Sequence, residues 1–260
     1  MPEGRLSAAA ARPRSREIVQ ALAAELSKLW SLPAAWLIVG GSLILNLLLS
    51  AAFASAGLQG LTGTRDVLDI GLASISYIQA GFIILGITAS CSEYAGGQIR
   101  TTLTAMPRRG LQLAASHLAL TILVVPAALV TAASGVLVAA IVLDASASFD
   151  PGSAVGPLAG VTGSLCLTTL ISAAIGVLLR RTLPAAAVVL GYYFIAGPLL
   201  REHAAYAKYF PDTAGVVMWF PQPQSDGTGA LTPAQGALLL IAWTLAVFAV
   251  AAVVYRYRDT

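Results

Sequence analysis

Charge is scarce in this sequence. Only 10% of its 260 residues are Asp, Glu, Lys or Arg, against about 25% in ordinary soluble domains. That excludes a disordered chain, which needs charge to stay solvated, and an ordinary cytosolic enzyme. There are two lysines, Lys28 followed by Leu29 and Lys208 followed by Tyr209. A phosphate-binding P-loop requires a Gly-rich turn ending in Lys-Ser or Lys-Thr, so the chain does not bind ATP in that way. The two histidines, His117 and His203, fall on opposite sides of the membrane predicted below. The two cysteines, Cys91 and Cys166, stand alone in separate apolar stretches. Neither a clustered-ligand metal site nor a disulfide framework of the secreted kind is expected.

What remains is apolar: 57% of the residues are hydrophobic. A membrane-crossing helix needs about 20 apolar residues, and six stretches qualify, at about 34–56, 70–91, 111–143, 155–179, 183–200 and 233–255. The third is overlong and carries Pro126 as an expected kink. The fourth and fifth are separated only by Arg180, Arg181 and Thr182, a tight hairpin. Pro198 after Gly197 is expected to break the fifth near its outer end. The fold class is therefore all-α integral membrane, with residues 1–33 preceding a six-span domain at 34–260.

Lys and Arg set the orientation. With the N-terminus inside, twelve of the fifteen basic residues are cytoplasmic, leaving Arg65, Arg201 and Lys208 outside. Asp66, Asp69, Asp144, Asp150, Glu202, Asp212 and Asp226 lie outside with them. Both termini are predicted cytoplasmic, and the net charge of +3 reflects a basic inner face, not a nucleic-acid partner.

Arg5 to Arg16 form a basic arm suited to anionic lipid, with no signal-peptide pattern. Ile18, Leu22, Leu26, Leu29 and Trp30 then recur at helical spacing, with Glu17, Gln20, Glu25 and Lys28 on the other face. This pattern predicts an amphipathic helix in the interface plane, with Ser15 as N-cap and Pro33 at the turn into the first span. Between spans five and six, an aromatic segment (Tyr206, Tyr209, Phe210, Trp219, Phe220) ends in Pro221-Gln-Pro. It predicts a short helical or re-entrant element at the outer interface.

Gly40-Gly41-Ser42 invites comparison with a membrane serine protease, but no histidine stands on span six to activate the serine. Helix packing is the better reading of those small residues. The loop between spans two and three carries the most specific signal: Glu93-Tyr-Ala-Gly-Gly97-Gln-Ile99-Arg100-Thr-Thr-Leu103-Thr-Ala-Met-Pro107-Arg108-Arg109. Gly96 and Gly97 permit a sharp exit from the span, 98–106 spans about two helical turns, and Pro107 stops it. Ile99 and the threonines lower helix propensity, so a helix there needs external support.

With that loop, the sequence resembles the permease subunits of ABC-2 type exporters, whose pattern is an acid closing span two, then Gly, Arg, Leu and Pro-x-Arg. Glu93, Gly97, Arg100, Leu103, Pro107 and Arg109 match it. The segment with Glu25, Lys28 and Trp30 resembles the family's N-terminal connecting helix. The resemblance implies a cytoplasmic coupling helix that docks on two copies of a separate ABC ATPase subunit, where ATP and Mg would bind. It also implies pairing with a second permease, as homodimer or heterodimer, in a bacterial plasma membrane. Arg100, Arg108 and Arg109 would contact the ATPase, with Ile99 and Leu103 filling its groove and Glu93 tying span two to the loop. The same arginines would equally serve as plain anchors on anionic headgroups. In the family, spans one, two and five line the path, which nominates Asn46, Phe53, Tyr77, Gln79, Tyr192, Tyr193 and Phe194, though each also suits helix packing. With no charge there, the cargo would be hydrophobic or amphipathic: a drug, peptide antibiotic or lipid. The rival readings are a lantibiotic-immunity permease and a non-transporting membrane scaffold or sensor that docks a cytosolic partner.

Overall fold

The structure, a computed structural model, describes residues 14–59, 67–92, 94, 109–143, 151–203, 205–220 and 231–257. Six helical segments are long and apolar enough to cross a membrane, and no strand occurs among the described residues. The chain is an all-helical, multi-pass membrane protein. Helix α1 (Arg14–Ser31) precedes the first span, α2 (Pro33–Gln59). The second span is divided into α3 (Val67–Leu72) and α4 (Ile75–Cys91), and the third is the single helix α5 (Arg109–Leu143). The fourth is α6 (Pro151–Leu179). The fifth joins α7 (Thr182–Gly191), a π-helical turn (Tyr192–Ala196) and α8 (Gly197–His203). A 3₁₀ turn (Ala205–Tyr209) and α9 (Pro211–Val217) lead toward the last span, α10 (Pro233–Tyr257).

The local chemistry of helix ends explains where these boundaries depart from the hydrophobic runs. The second span begins at Val67 rather than 70, because Asp69 in its first turn suits the positive end of the helix dipole. The fourth begins at Pro151 rather than 155, since proline is at ease in the first helical position; Pro33, Pro211 and Pro233 open helices in the same way. Pro198 does not break the fifth span. The register widens just upstream, where the Gly197 N–H donates to the Tyr192 carbonyl, and the helix continues to His203. Ser15 is not an N-cap but lies inside the first turn of α1. Ahead of α10, Thr232 and Gln235 form a reciprocal capping box, at 3.3 Å and 2.9 Å. Thr232→Ala should cost about 1 kcal/mol, read as faster hydrogen exchange confined to the first turn of α10.

The centre of the bundle is α6, whose span is 72% buried, with α4 next at 61%. These two lie so close at Gly86 that a Cβ there would clash with the Thr169 carbonyl oxygen. A second close approach joins α3 to α5, where a Cβ on Gly71 would stand 2.6 Å from the Val136 Cα. Small residues allow such contacts, and backbone proximity replaces the hydrophobic driving force that lipid does not supply. Gly40 and Gly41, read from sequence as packing contacts, instead have nothing within 4 Å of a built Cβ. Only Ser42 of that trio meets a neighbour, at Gly81.

The α6–α7 hairpin turns on Arg180, whose φ is +55° and whose N–H bonds the Gly176 carbonyl at 2.8 Å. This is the left-handed helix cap that glycine usually supplies. Its guanidinium lies over the Tyr94 ring, 5.4 Å from the centroid. Helix α1 packs against α5 through Leu22, Leu26 and Leu29, while Ile18 and Trp30 stay exposed (48% and 66%). Glu25, expected on the polar face, is only 4% exposed. Ala21, Glu25 and Leu29, each one turn apart, form the buried stripe, so the helix is rolled from its sequence-based orientation.

Candidate functional site

The nominated path residues occupy two distinct settings. Asn46 is fully buried. Its amide donates to the Thr131 carbonyl (2.8 Å) and to Ser134 Oγ (3.3 Å), while its carbonyl accepts from Ser74 Oγ at 2.7 Å. Ser50 Oγ meets Ser74 Oγ at 3.1 Å. This network ties α2, the α3–α4 turn and α5 together, next to the Gly71–Gly135 approach. Its geometry is that of interhelical glue.

The other candidates cluster beside α4. The Phe53 and Tyr77 rings stand 6.0 Å apart, with Tyr77 56% exposed. Gln79 Nε2 lies 3.4 Å from Thr168 Oγ1 on α6. Tyr192 and Tyr193 sit in the π-helical turn with their rings edge to face at 5.2 Å. Tyr193 is buried against Ile83 and Ile87, with its hydroxyl beside Thr168. Phe194, on the far side of that turn, is 41% exposed. The structure thus brings residues of α4, α6 and the fifth span together around Thr168, and leaves Tyr77 and Phe194 on the outer surface of the bundle.

Asp212, which the sequence placed only among the outer acids, organises the end of the bundle remote from α1. It is 4% exposed, accepts from the Tyr192 hydroxyl at 2.9 Å and lies 3.1 Å from Arg201 Nε. Gly197 makes room for it, since a Cβ there would stand 2.5 Å from Asp212 Oδ2. Asp212 thereby pins α9 to the fifth span at the point where the helix changes register. On its other side, α9 rests on α10: a Cβ on Gly236 would come 2.8 Å from the Ala214 carbonyl. The preceding 3₁₀ turn is tied to the same helix by Trp243 Nε1, which donates to the Tyr209 carbonyl at 2.9 Å. An acid embedded in an aromatic outer segment was the available signal.

At the opposite end, Tyr255 donates to Gln112 Oε1 at 2.8 Å, joining the end of α10 to the start of α5. His117 is packed, with Nδ1 3.0 Å from the Leu113 carbonyl and its ring 4.8 Å from Phe248. Lys28 lies 3.5 Å from Glu25, and Trp30 meets Trp36 edge to face at 4.8 Å. Glu93, Gly97, Ile99, Arg100, Leu103 and Arg108 lie outside the described residues. Arg109 opens α5, but its side chain is outside them too. Among the described residues, no three His, Cys, Asp or Glu side chains gather where they would hold a metal ion. The chain matches no family model, and the search of curated proteins returns no match to it.

Proposed function

We propose that this chain is the membrane-spanning permease subunit of an ATP-driven exporter of the ABC-2 type. The observation that carries the reading is the order of elements. An amphipathic helix packed on the third span precedes six apolar spans, and the 93–109 motif joins the second span to the third. Two crossings, by the first and second spans, would return the chain to the end of the bundle that bears α1, where a cytoplasmic ATPase would reach both. Hydrolysis would belong to that partner. The α2 face bearing Gly40 and Gly41 is open, and small residues are what close helix pairing in a membrane uses, so this face suits a second permease. Tyr77, Phe194 and the half-buried Phe53 supply an uncharged aromatic surface for a hydrophobic or amphipathic cargo. The segment holding α9 would form the outer gate.

Arg100→Glu combined with Arg109→Glu should leave the chain folded and inserted but abolish export. ATP turnover by the co-purified ATPase should lose its stimulation by cargo. Unchanged export in cells, or failure to recover any P-loop ATPase with the tagged wild-type chain, would overturn the reading.

A further inference from the structure

Tyr94 stands three residues past the end of α4, where its N–H donates to the Cys91 carbonyl at 3.0 Å. Its ring packs on a buried cluster drawn from three other spans: Leu113 of α5, Ala174 and Val177 of α6, and Ala251 and Tyr255 of α10. The space left beside it, toward Ser90, Gln112 and Ser116, is about 10 Å³, room for a single water at most. The ring is seated in a socket. Over its face lies the Arg180 guanidinium, 5.4 Å from the centroid, with Nε and Nη2 buried and without a hydrogen-bond partner. Charged donors left in that way are costly, and cation–π attraction grows as the pair is desolvated. The tyrosine ring is therefore what holds the cation in place.

We infer that Tyr94 is the positioning residue through which movement of the loop that follows it is passed to the α6–α7 hairpin, and so to the fifth span, with Arg180 as its counterpart. The inference rests on the exporter reading for what moves the loop, but not for the joint itself. The backbone of Arg180 carries the argument further. Its φ of +55° is free to glycine and costly to other residues, so a helix cap alone would be better served by glycine. Such a cost persists where the surroundings enforce it, and an outlier of that kind points to a use for the side chain. The use on view is the grip on Tyr94. Gly176 completes the junction: its carbonyl accepts from the Arg180 N–H at 2.8 Å and from Cys91 Sγ at 3.6 Å. A Cβ on Gly176 would stand 3.2 Å from Ser90 Cβ. The ends of α4 and α6 are thus joined through backbone and side chains alike. Two residues after Arg180, α7 begins, and it runs directly into the π-helical turn at Tyr192–Ala196.

The test has two arms. In the full chain alone, Tyr94→Ala should speed amide exchange at Arg180 at least tenfold while α9 exchanges as before. Tyr94→Phe, which keeps the ring face, should exchange as the wild type does. In membranes holding the chain with its co-purified ATPase, Tyr94→Ala should lower export and cargo-stimulated ATP turnover at least tenfold with the ATPase still bound, and Tyr94→Phe should restore at least half. Arg180→Gly separates backbone from side chain, because glycine suits the positive φ but removes the cation. It should fold at least as well as the wild type and lose export as Tyr94→Ala does. Combining the two should cost no more than either alone, since both break one contact. If Tyr94→Ala fails to fold, Arg180→Gly carries the test. Wild-type export by Arg180→Gly, equal loss in Tyr94→Phe, or additive losses in the pair would overturn the proposal. Failure of the wild-type chain to recover an ATPase would sink the exporter reading instead; the exchange arm would then decide, and unchanged exchange at Arg180 in Tyr94→Ala would show that the tyrosine does not hold the hairpin.

Discussion

Gly86→Val should be the most destructive single substitution in the bundle, lowering the thermal midpoint in detergent by about 10 °C or preventing recovery of monodisperse protein. Gly86 faces the Thr169 carbonyl oxygen, with Thr169 Cγ2 at 3.1 Å and Ala173 N at 3.2 Å from a built Cβ. These are backbone and short side-chain atoms in the two most buried spans, so nothing can swing aside. Overpacking a well-packed interface costs about 1–3 kcal/mol and occasionally more. Each kcal/mol moves the midpoint of a chain this size by about 2–4 °C. Gly40→Val is the matched control, with the same change of residue on a helix whose Cβ position is open, and it should shift the midpoint by under about 2 °C in the isolated chain. Equal effects of the two would refute the close α4–α6 approach.

Asp212→Ala should release α9 from the fifth span. It removes the acceptor of the Tyr192 hydroxyl and the partner of Arg201 together. A buried pair broken from one side costs about 3–5 kcal/mol; here the Arg201 side chain is 35% exposed, so solvent softens the loss. Orphaning a hydroxyl adds about 1–3 kcal/mol. Amide exchange in α8 and α9 should accelerate at least tenfold, tenfold being about 1.4 kcal/mol, while α6 exchanges as before. Asp212→Asn retains an acceptor for Tyr192 but not the charge, and should fall between wild type and Asp212→Ala. If Asp212→Ala leaves exchange in α9 unchanged, the aspartate does not hold it. In an exporter, the same variant should leak cargo or stall its release, because the outer element would no longer follow the fifth span.

The six spans were legible because hydrocarbon thickness is a one-dimensional constraint, and a run of about 20 apolar residues satisfies it wherever the helix packs. Helix ends were less legible. Asp69 and Pro151 look like interruptions to a hydropathy reading but are favourable in a first turn. Pro198 looks like a breaker, but a widened register absorbs its missing N–H. The roll of α1 was hidden for a different reason: periodicity finds two faces, but only the partner, α5, decides that Glu25 belongs to the buried one. Asn46 stood out as a polar residue in a span, yet its hydrogen-bond partners lie 28, 85 and 88 positions away. Asp212 and Tyr192 meet across a 20-residue separation on different elements. Pairings of that kind arise from how helices cross, and no local pattern encodes them.

Helix α5 is one uninterrupted element of 35 residues, about 52 Å at the helical rise, and so well over the hydrocarbon thickness. Its tightest crossing, at Gly135, is 26 residues from Arg109 and only 8 from Leu143. The contact therefore acts as a fulcrum, with arms of about 39 Å and 12 Å. A sideways push of several ångströms on the end that carries the 93–109 loop reaches the opposite end as roughly a third of that distance, reversed in direction and correspondingly greater in force. Pro126 stands within the long arm, where the missing backbone donor makes the lever compliant.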